Sequence, residues 1–289
     1  MYIKSGNHAA PAASIRLEPV DVEARAGRRP GNRLLASLPP SDLALLGQHL
    51  QVVALTPGTI LQHQDHPLQY VYFPHEGIVS LLAMTPEGQT IEAASVGRGG
   101  VVCPVHRSDV GESFLTAVAL ETMRVSRIAL GQLRAAQLES EPLKDALRGC
   151  REALLRQLRQ NMVCGGLHSV EHRLARWLLE TADRLETDAM PIPVTQEHVA
   201  QRLGVRRTTV TLIASKLQGA AAIRWGRSRV EILDRTLLES RACACYAALR
   251  ERTSMLLPAA EEGMKHPCRA TTSTCVTTEP SIAISRGLS

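Results

Sequence analysis

The sequence predicts an α+β protein in three parts: an N-terminal antiparallel jelly roll (a double-stranded β-helix), a long helix, and a C-terminal winged helix-turn-helix. Three observations carry this. Up to about residue 130, short runs rich in β-branched, aromatic and leucine residues alternate with turn signals. From Leu143 to Met162, apolar residues recur every three or four positions, the period of a helix. Thr195 to Leu217 then reads as two short amphipathic helices broken at Gly204.

Residues 1–30 are rich in Ala, Gly, Pro and Arg, and residues 259–289 in Thr, Ser and small residues; both tails are expected to be disordered. The β-roll is placed at residues 31–140. Thr56-Pro57-Gly58, His75-Glu76-Gly77 and Pro86-Glu87-Gly88 mark its turns. Tyr70–Phe73, Ile78–Ala83 and Thr116–Ile128 are its clearest strand runs. Strands this closely spaced imply an antiparallel barrel or jelly roll. A helical stretch begins near Leu130, and Glu141-Pro142 restarts it as a long helix, residues 141–168. On that helix Leu143, Leu147, Cys150, Leu154, Leu158 and Met162 form a narrow stripe flanked by Arg148, Arg151, Arg156 and Arg159. Such a stripe fits one helix seam, with a second copy of the chain as the expected partner and packing within one chain as the alternative. Ser169 caps a further helix, Val170–Leu185, with Leu174, Trp177 and Leu178 facing inward.

The winged helix-turn-helix occupies residues 169–240. Val199 and Leu203 lie one turn apart on its first helix, and Val210, Ile213, Ala214 and Leu217 make one face of the second. Ala200 lets the helices cross closely, Gly204 supplies the turn and Val205 plugs the corner. Arg206, Arg207, Thr208 and Thr211 are left exposed at the start of the second helix, with groups that can donate to base edges and phosphates in a major groove. Gln196, at the start of the first helix, completes this expected contact set. Ile223–Leu233 follows as a small hairpin turning at Gly226 to Ser228, with Arg224, Arg227 and Arg229 suited to phosphates beside the groove.

Charge is distributed accordingly. Met190–Leu233 holds seven Lys and Arg against two Glu, whereas Leu34–Glu139 holds five Arg against nine acidic residues. A cationic footprint at one end only points to duplex DNA. At 289 residues with 44% hydrophobic content, the chain is long enough for two cores. No apolar run approaches a membrane span and no signal sequence is evident, so a cytoplasmic protein without membrane contact is expected. No nucleophile motif, P-loop or Rossmann glycine pattern marks an enzyme. The rival reading is a regulatory module that acts through protein contacts, its basic domain binding an acidic partner rather than specific DNA.

In order and in motif the chain resembles the Crp/Fnr family of bacterial transcription regulators over roughly residues 33–240. The carriers are Leu61–Asp65 (LQHQD), Tyr70–Gly77 (YVYFPHEG), Glu87–Ile91 (EGQTI) and the helix-turn-helix. The resemblance implies a cyclic-nucleotide-binding-like sensor roll, a dimerisation helix and a homodimer on an inverted-repeat operator, with RNA polymerase as a further partner. It also implies that Arg207, Thr208, Thr211 and Leu212 reach the bases. Members that respond to cyclic AMP carry a Glu where this chain has Thr208 and a second Arg where it has Leu212, so a different target sequence is implied.

The sensor half departs further. Val96–Pro104 (VGRGGVVCP) and Gly111–Val118 (GESFLTAV) lack the Gly-Glu pair and the Arg-Ser/Thr pair that hold a cyclic nucleotide in the family, so cyclic AMP is not expected as the ligand. Arg98 and Arg107 are the candidates for gripping some other anion, against the plainer reading of two solvated loop arginines. No cysteine precedes Cys103, which argues against an iron-sulfur cluster of the Fnr type. Cys243 and Cys245 are two residues apart, so on a helix they would point about 200° apart and could not share a metal without unwinding. Packing is expected for both, and no metal site. His63, His66, His75 and His106 fall in or near loops of the roll and have no assigned role.

Overall fold

The computed structural model describes residues 16–17, 31–102, 111–185 and 191–254. The chain opens with β1 (Arg16–Leu17), α1 (Arg33–Ser37) and α2 (Pro40–Gly47). The roll follows as β2 (Gln51–Leu55), β3 (Ile60–Gln62), β4 (Tyr70–Pro74), β5 (Val79–Met84), β6 (Thr90–Val96), β7 (Thr116–Ala119) and β8 (Met123–Ala129). Two four-stranded sheets result, in the orders β1-β2-β8-β4 and β3-β7-β5-β6, with every pairing antiparallel. The jelly roll read from the sequence is thus the observed fold, with two differences. The run Thr116–Ile128 is two strands in different sheets, divided at Leu120–Thr122. Within the supposedly unstructured N-terminal tail, Arg16 and Leu17 pair with Ala54 and Val53; the rest of both tails lies outside the described residues.

Local chemistry accounts for the turns. Gly77 has φ +70°, and a Cβ there would come within 3.0 Å of Met123 Cβ, so only glycine serves. Asn32 caps α1 by accepting from Leu35 N–H at 3.1 Å. Its side-chain amide donates at 2.9 Å to the carbonyls of Pro74, Arg98 and Gly100, tying α1 to the mouth of the roll.

Two helices leave the roll, α3 (Leu130–Glu139) and α4 (Glu141–Leu167). Ser140 sits between them and accepts from Leu143 N–H at 3.0 Å, with Pro142 in the first turn, so the helix restarts where its sequence says it should. The stripe on α4 corrects the expectation of a dimer seam. Leu143, Leu147 and Cys150 are buried in one chain against Leu34, Leu35, Val71, Phe73, Ile128 and Leu133. Leu154 is buried against the apolar interior of the roll, where Val53, Leu55, Val79, Leu81 and Val125 meet, and Leu158 packs beside it half-buried. Of the stripe only Met162 is outside, 73% exposed, and it shares its side of the helix with Leu155. The sheet offered those leucines a nearer apolar surface than a second chain would.

The C-terminal part comprises α5 (Val170–Leu185), α6 (Gln196–Leu203), α7 (Arg207–Gly219), the hairpin β9 (Ile223–Trp225) and β10 (Val230–Ile232), then α8 (Arg235–Arg241) and α9 (Cys245–Ser254). One cluster holds it together, drawing Leu174, Trp177 and Leu178 from α5, Val199 and Leu203 from α6, and Val210 and Leu217 from α7. Each such side chain, fully withdrawn from water, contributes about 1.5–3 kcal/mol. Ile192 adds an isolated antiparallel bridge to Val230 at the edge of the wing. The sequence did not mark α9, because its apolar residues, Cys245 to Leu249, are consecutive and show no helical period.

Candidate nucleic-acid interface

Thr195 caps α6 by accepting from His198 N–H at 3.2 Å, and Gly204 ends the helix in the left-handed conformation, φ +63° and ψ +38°. Val205 N–H then donates to the Ala200 carbonyl at 3.0 Å and turns the chain into α7. Arg206 is the N-cap of α7 and makes no side-chain cap; Thr209 N–H donates to the Arg206 carbonyl at 3.0 Å, which leaves the Arg207 and Thr208 amides as the first-turn donors for an anion. Arg206, Arg207, Thr208, Thr211 and Leu212 are all exposed on that end, Leu212 at 72%. The Thr211 hydroxyl donates to Gln196 Oε1 at 2.7 Å, so the expected Gln196 and the recognition helix meet at one spot.

The seven cations of this region sort themselves. Arg202 is buried in an ion pair with Glu92, Lys216 is held by Glu171 at 2.5 Å, and Arg224 pairs across the wing with Glu231 at 2.8 Å. Arg206, Arg207, Arg227 and Arg229 are exposed and make no ion pair among the described residues. The wing closes with Gly226 N–H donating to the Arg229 carbonyl at 2.9 Å, which leaves both of its loop arginines outside. The charges left over are therefore those on the first turn of α7 and the tip of the wing, as phosphate and base contact requires.

Glu92 and Arg202 join the two halves of the molecule, a contact that sequence reading missed. Glu92 is on β6 of the roll and Arg202 on α6, and both side chains are at most 6% exposed. Burial pushes the Arg202 guanidinium down, to about 9, with the Glu92 carboxylate opposite it. The Trp177 ring lies 5.2 Å from the same guanidinium. A second polar link runs beside it: the Asn161 amide donates to the Ala93 carbonyl at 2.7 Å and its oxygen accepts from Arg176 at 2.6 Å, which pairs with Glu180 at 2.8 Å. The first helix of the reading motif is thereby fixed to a strand of the roll.

The anion-gripping role expected of Arg98 is not what its contacts suit. Its Nε donates to the Gly31 carbonyl at 2.5 Å, directing the side chain to the N-terminal segment rather than the apolar interior. Arg107 lies outside the described residues, as do His106 and Cys103. The His63 and His66 rings lie 5.5 Å apart, tilted by 50°, and His75 bonds Ser126 at 2.8 Å, and among the described residues no third ligating group gathers around them.

The cysteines depart from the expectation that Cys243 and Cys245 point apart. Cys243 lies between α8 and α9 and Cys245 opens α9, so the helix that would have set them apart is absent there. Their sulfurs converge with Cys164 and His168 at the end of α4, all four ligand atoms within 4.8 Å of one another. Burial and the neighbouring thiols raise Cys243 and hold Cys245 up at about 12. The signal present in the sequence was Cys164 and His168 four apart, one helical turn.

A roll closed by a long helix and followed by a winged helix-turn-helix defines a class of DNA-binding regulators. Residues 52–139 match the cyclic nucleotide-binding domain and residues 172–241 the Crp-like helix-turn-helix domain. The nitrogen fixation regulation protein FixK of Bradyrhizobium diazoefficiens is 25% identical over 194 residues, covering 64% of this chain and 79% of that protein. The structure of FixK2 from Bradyrhizobium japonicum is 21% identical, with a TM-score of 0.60 over 68% of this chain and 98% of that one. A CRP-family transcriptional regulator of Thermus thermophilus is 18% identical, with a TM-score of 0.56 over 65% of this chain and 95% of that one. The chain belongs to the Crp/Fnr family, whose members bind DNA and act as dimers, and it is a DNA-binding transcription regulator. Among the described residues no helix is long and apolar enough to cross a membrane.

Proposed function

We propose that this regulator works in the cytoplasm as a homodimer on an inverted-repeat operator, by binding and not by catalysis, with RNA polymerase as its further partner. Residues 31–140 receive the signal, 141–168 pair the protomers and 169–240 read DNA. The observation that carries the reading is the sorting of the seven cations between residues 190 and 233: of these, the four without an ion pair among the described residues sit on the α7 first turn and the wing tip. Arg207, Thr208, Thr211 and Leu212 face the bases, Gln196 supports them, and Arg206, Arg227 and Arg229 face phosphates. Selection from random duplexes tests it. Sites with dyad symmetry and half-sites one helical turn apart, about 34 Å, are expected. Duplex binding without sequence preference, weakening as salt is raised, would instead favour the acidic-partner reading.

The dimer face consistent with the packing is the outer side of α4, carrying Leu155 and Met162 seven residues apart. Leu155→Arg with Met162→Arg is expected to give a folded monomer in sedimentation. Leu147→Asp with Leu154→Asp is expected to unfold the chain, because each charge would be buried inside it. A dimer of unchanged mass in the first variant would remove this face from consideration.

Cyclic AMP is not the proposed signal. The roll interior is lined by Val53, Leu55, Leu81, Val125 and other apolar side chains. Arg98, the described cation from the Val96–Pro104 stretch, is turned to Gly31. Titration calorimetry with cyclic AMP should give no saturable heat at micromolar concentrations, and binding abolished by Arg98→Ala or Arg107→Ala would refute this.

A further inference from the structure

We propose that Cys164, His168, Cys243 and Cys245 form a closed four-coordinate site for a thiophilic divalent cation, zinc by fit, that clamps the end of α4 to the joint between α8 and α9. With Zn–S about 2.3 Å and Zn–N about 2.0–2.1 Å, tetrahedral geometry sets ligands about 3.8 Å apart for two sulfurs and about 3.6 Å for sulfur and nitrogen. The structure places Cys164 Sγ 3.9 Å from Cys243 Sγ, 3.4 Å from His168 Nδ1, and Cys245 Sγ 3.8 Å from that same nitrogen. Three of the six ligand-to-ligand distances therefore match the edges of one tetrahedron, and all six are within 4.8 Å.

The backbone around them explains how. Cys164 is on the last turn of α4 and His168 is its C-cap, whose N–H donates to the Cys164 carbonyl at 3.1 Å, so one turn stacks the two side chains. Tyr246 N–H donates to the Cys243 carbonyl at 3.0 Å, and this tight turn brings two alternate cysteines to one side. Cys164 and Cys243 are buried, while His168 and Cys245 are half-buried, which gives a cation a way in. Gln160 directs its amide at Cys164 Sγ from 3.5 Å, a donor to a sulfur that would carry negative charge. On binding, three thiols lose their protons to water and the filled site carries one net negative charge. Arg176 acts electrostatically on Cys243, so that charge has a cation nearby.

Because α9 packs against both α4 and α5, a metal here fixes the recognition domain to the long helix. The site thus lies at the joint through which the orientation of the DNA-reading part is set.

The test uses the untagged full chain, purified under reducing conditions. Elemental analysis should find one zinc per chain. Cobalt substituted for it should give the visible bands and thiolate charge transfer of a tetrahedral sulfur-rich site. Cys245→Ser and Cys164→Ser should each weaken zinc about a hundred-fold or more, since a quarter of the ligand set carries a comparable share of the binding free energy. Cys150→Ser, in a different core cluster, and Cys268→Ser with Cys275→Ser should leave it unchanged. Zinc should raise the thermal midpoint of the apo chain and leave that of Cys245→Ser where it was. Should the serine variants fail to fold, His168→Cys decides: it is expected to keep the metal and to intensify the cobalt charge-transfer band. A chain that binds no metal, retains it in Cys245→Ser, loses it with Cys268 and Cys275, or shows a Cys164–Cys243 disulfide in its place overturns the proposal.

Discussion

Glu92→Ala is expected to destabilise the folded chain by about 3–5 kcal/mol, because it leaves the Arg202 guanidinium buried without its counter-charge. The cost comes from desolvation rather than from a lost attraction, so removing both charges should be far milder. Glu92→Leu with Arg202→Met is expected to recover most of the loss, since two apolar side chains can fill the same space beside Trp177. Urea unfolding of the two single variants and the double variant gives the coupling directly. A loss below about 1 kcal/mol for Glu92→Ala would mean that water screens the pair as at a surface. Glu92 belongs to the roll and Arg202 to the first helix of the reading motif, so the lost stability should surface first as faster hydrogen exchange in α6.

Arg207→Ala is expected to weaken operator binding by about 1–3 kcal/mol per half-site and to relax preference at one base pair, as the loss of a bidentate contact to guanine O6 and N7 does. In a two-fold dimer the two half-sites both lose it, so the effect on the whole operator is the largest of any single exposed residue here. Arg227→Ala and Arg229→Ala should act otherwise. At the wing tip they meet phosphates, so each should weaken all sequences alike and flatten the salt dependence by about one unit.

What could be read in the sequence was whatever depends on neighbours along the chain. The turn at Gly204, the cap at Ser169, the split of charge between the halves and the apolar faces of α6 and α7 are local patterns, and each lies where its spacing put it. The stripe on α4 was read as helical correctly, but spacing says only that one face is apolar, not which surface covers it. The sheet bearing Val71, Phe73 and Ile128, and the roll interior, took Leu143, Leu147 and Leu154. Three features were illegible because they join distant stretches. Glu92 and Arg202 are 110 positions apart and each looks like an ordinary surface charge until β6 meets α6. Arg98 was unassignable until Gly31 was placed beside it. Cys243 and Cys245 were read as helical, and it is the break between α8 and α9 that turns two diverging thiols into neighbours.

The central claim is that the first turn of α7 reads bases while the wing holds phosphates. Fluorescence anisotropy of wild type and Arg207→Ala, titrated with the selected operator and with each single-base variant of it, tests this most directly. The account predicts that wild type discriminates at every position of a half-site and that Arg207→Ala becomes indifferent at one symmetric base pair while discriminating at the others. Affinity lost equally on every duplex, with base preference unaltered, would contradict it and assign Arg207 to the phosphates.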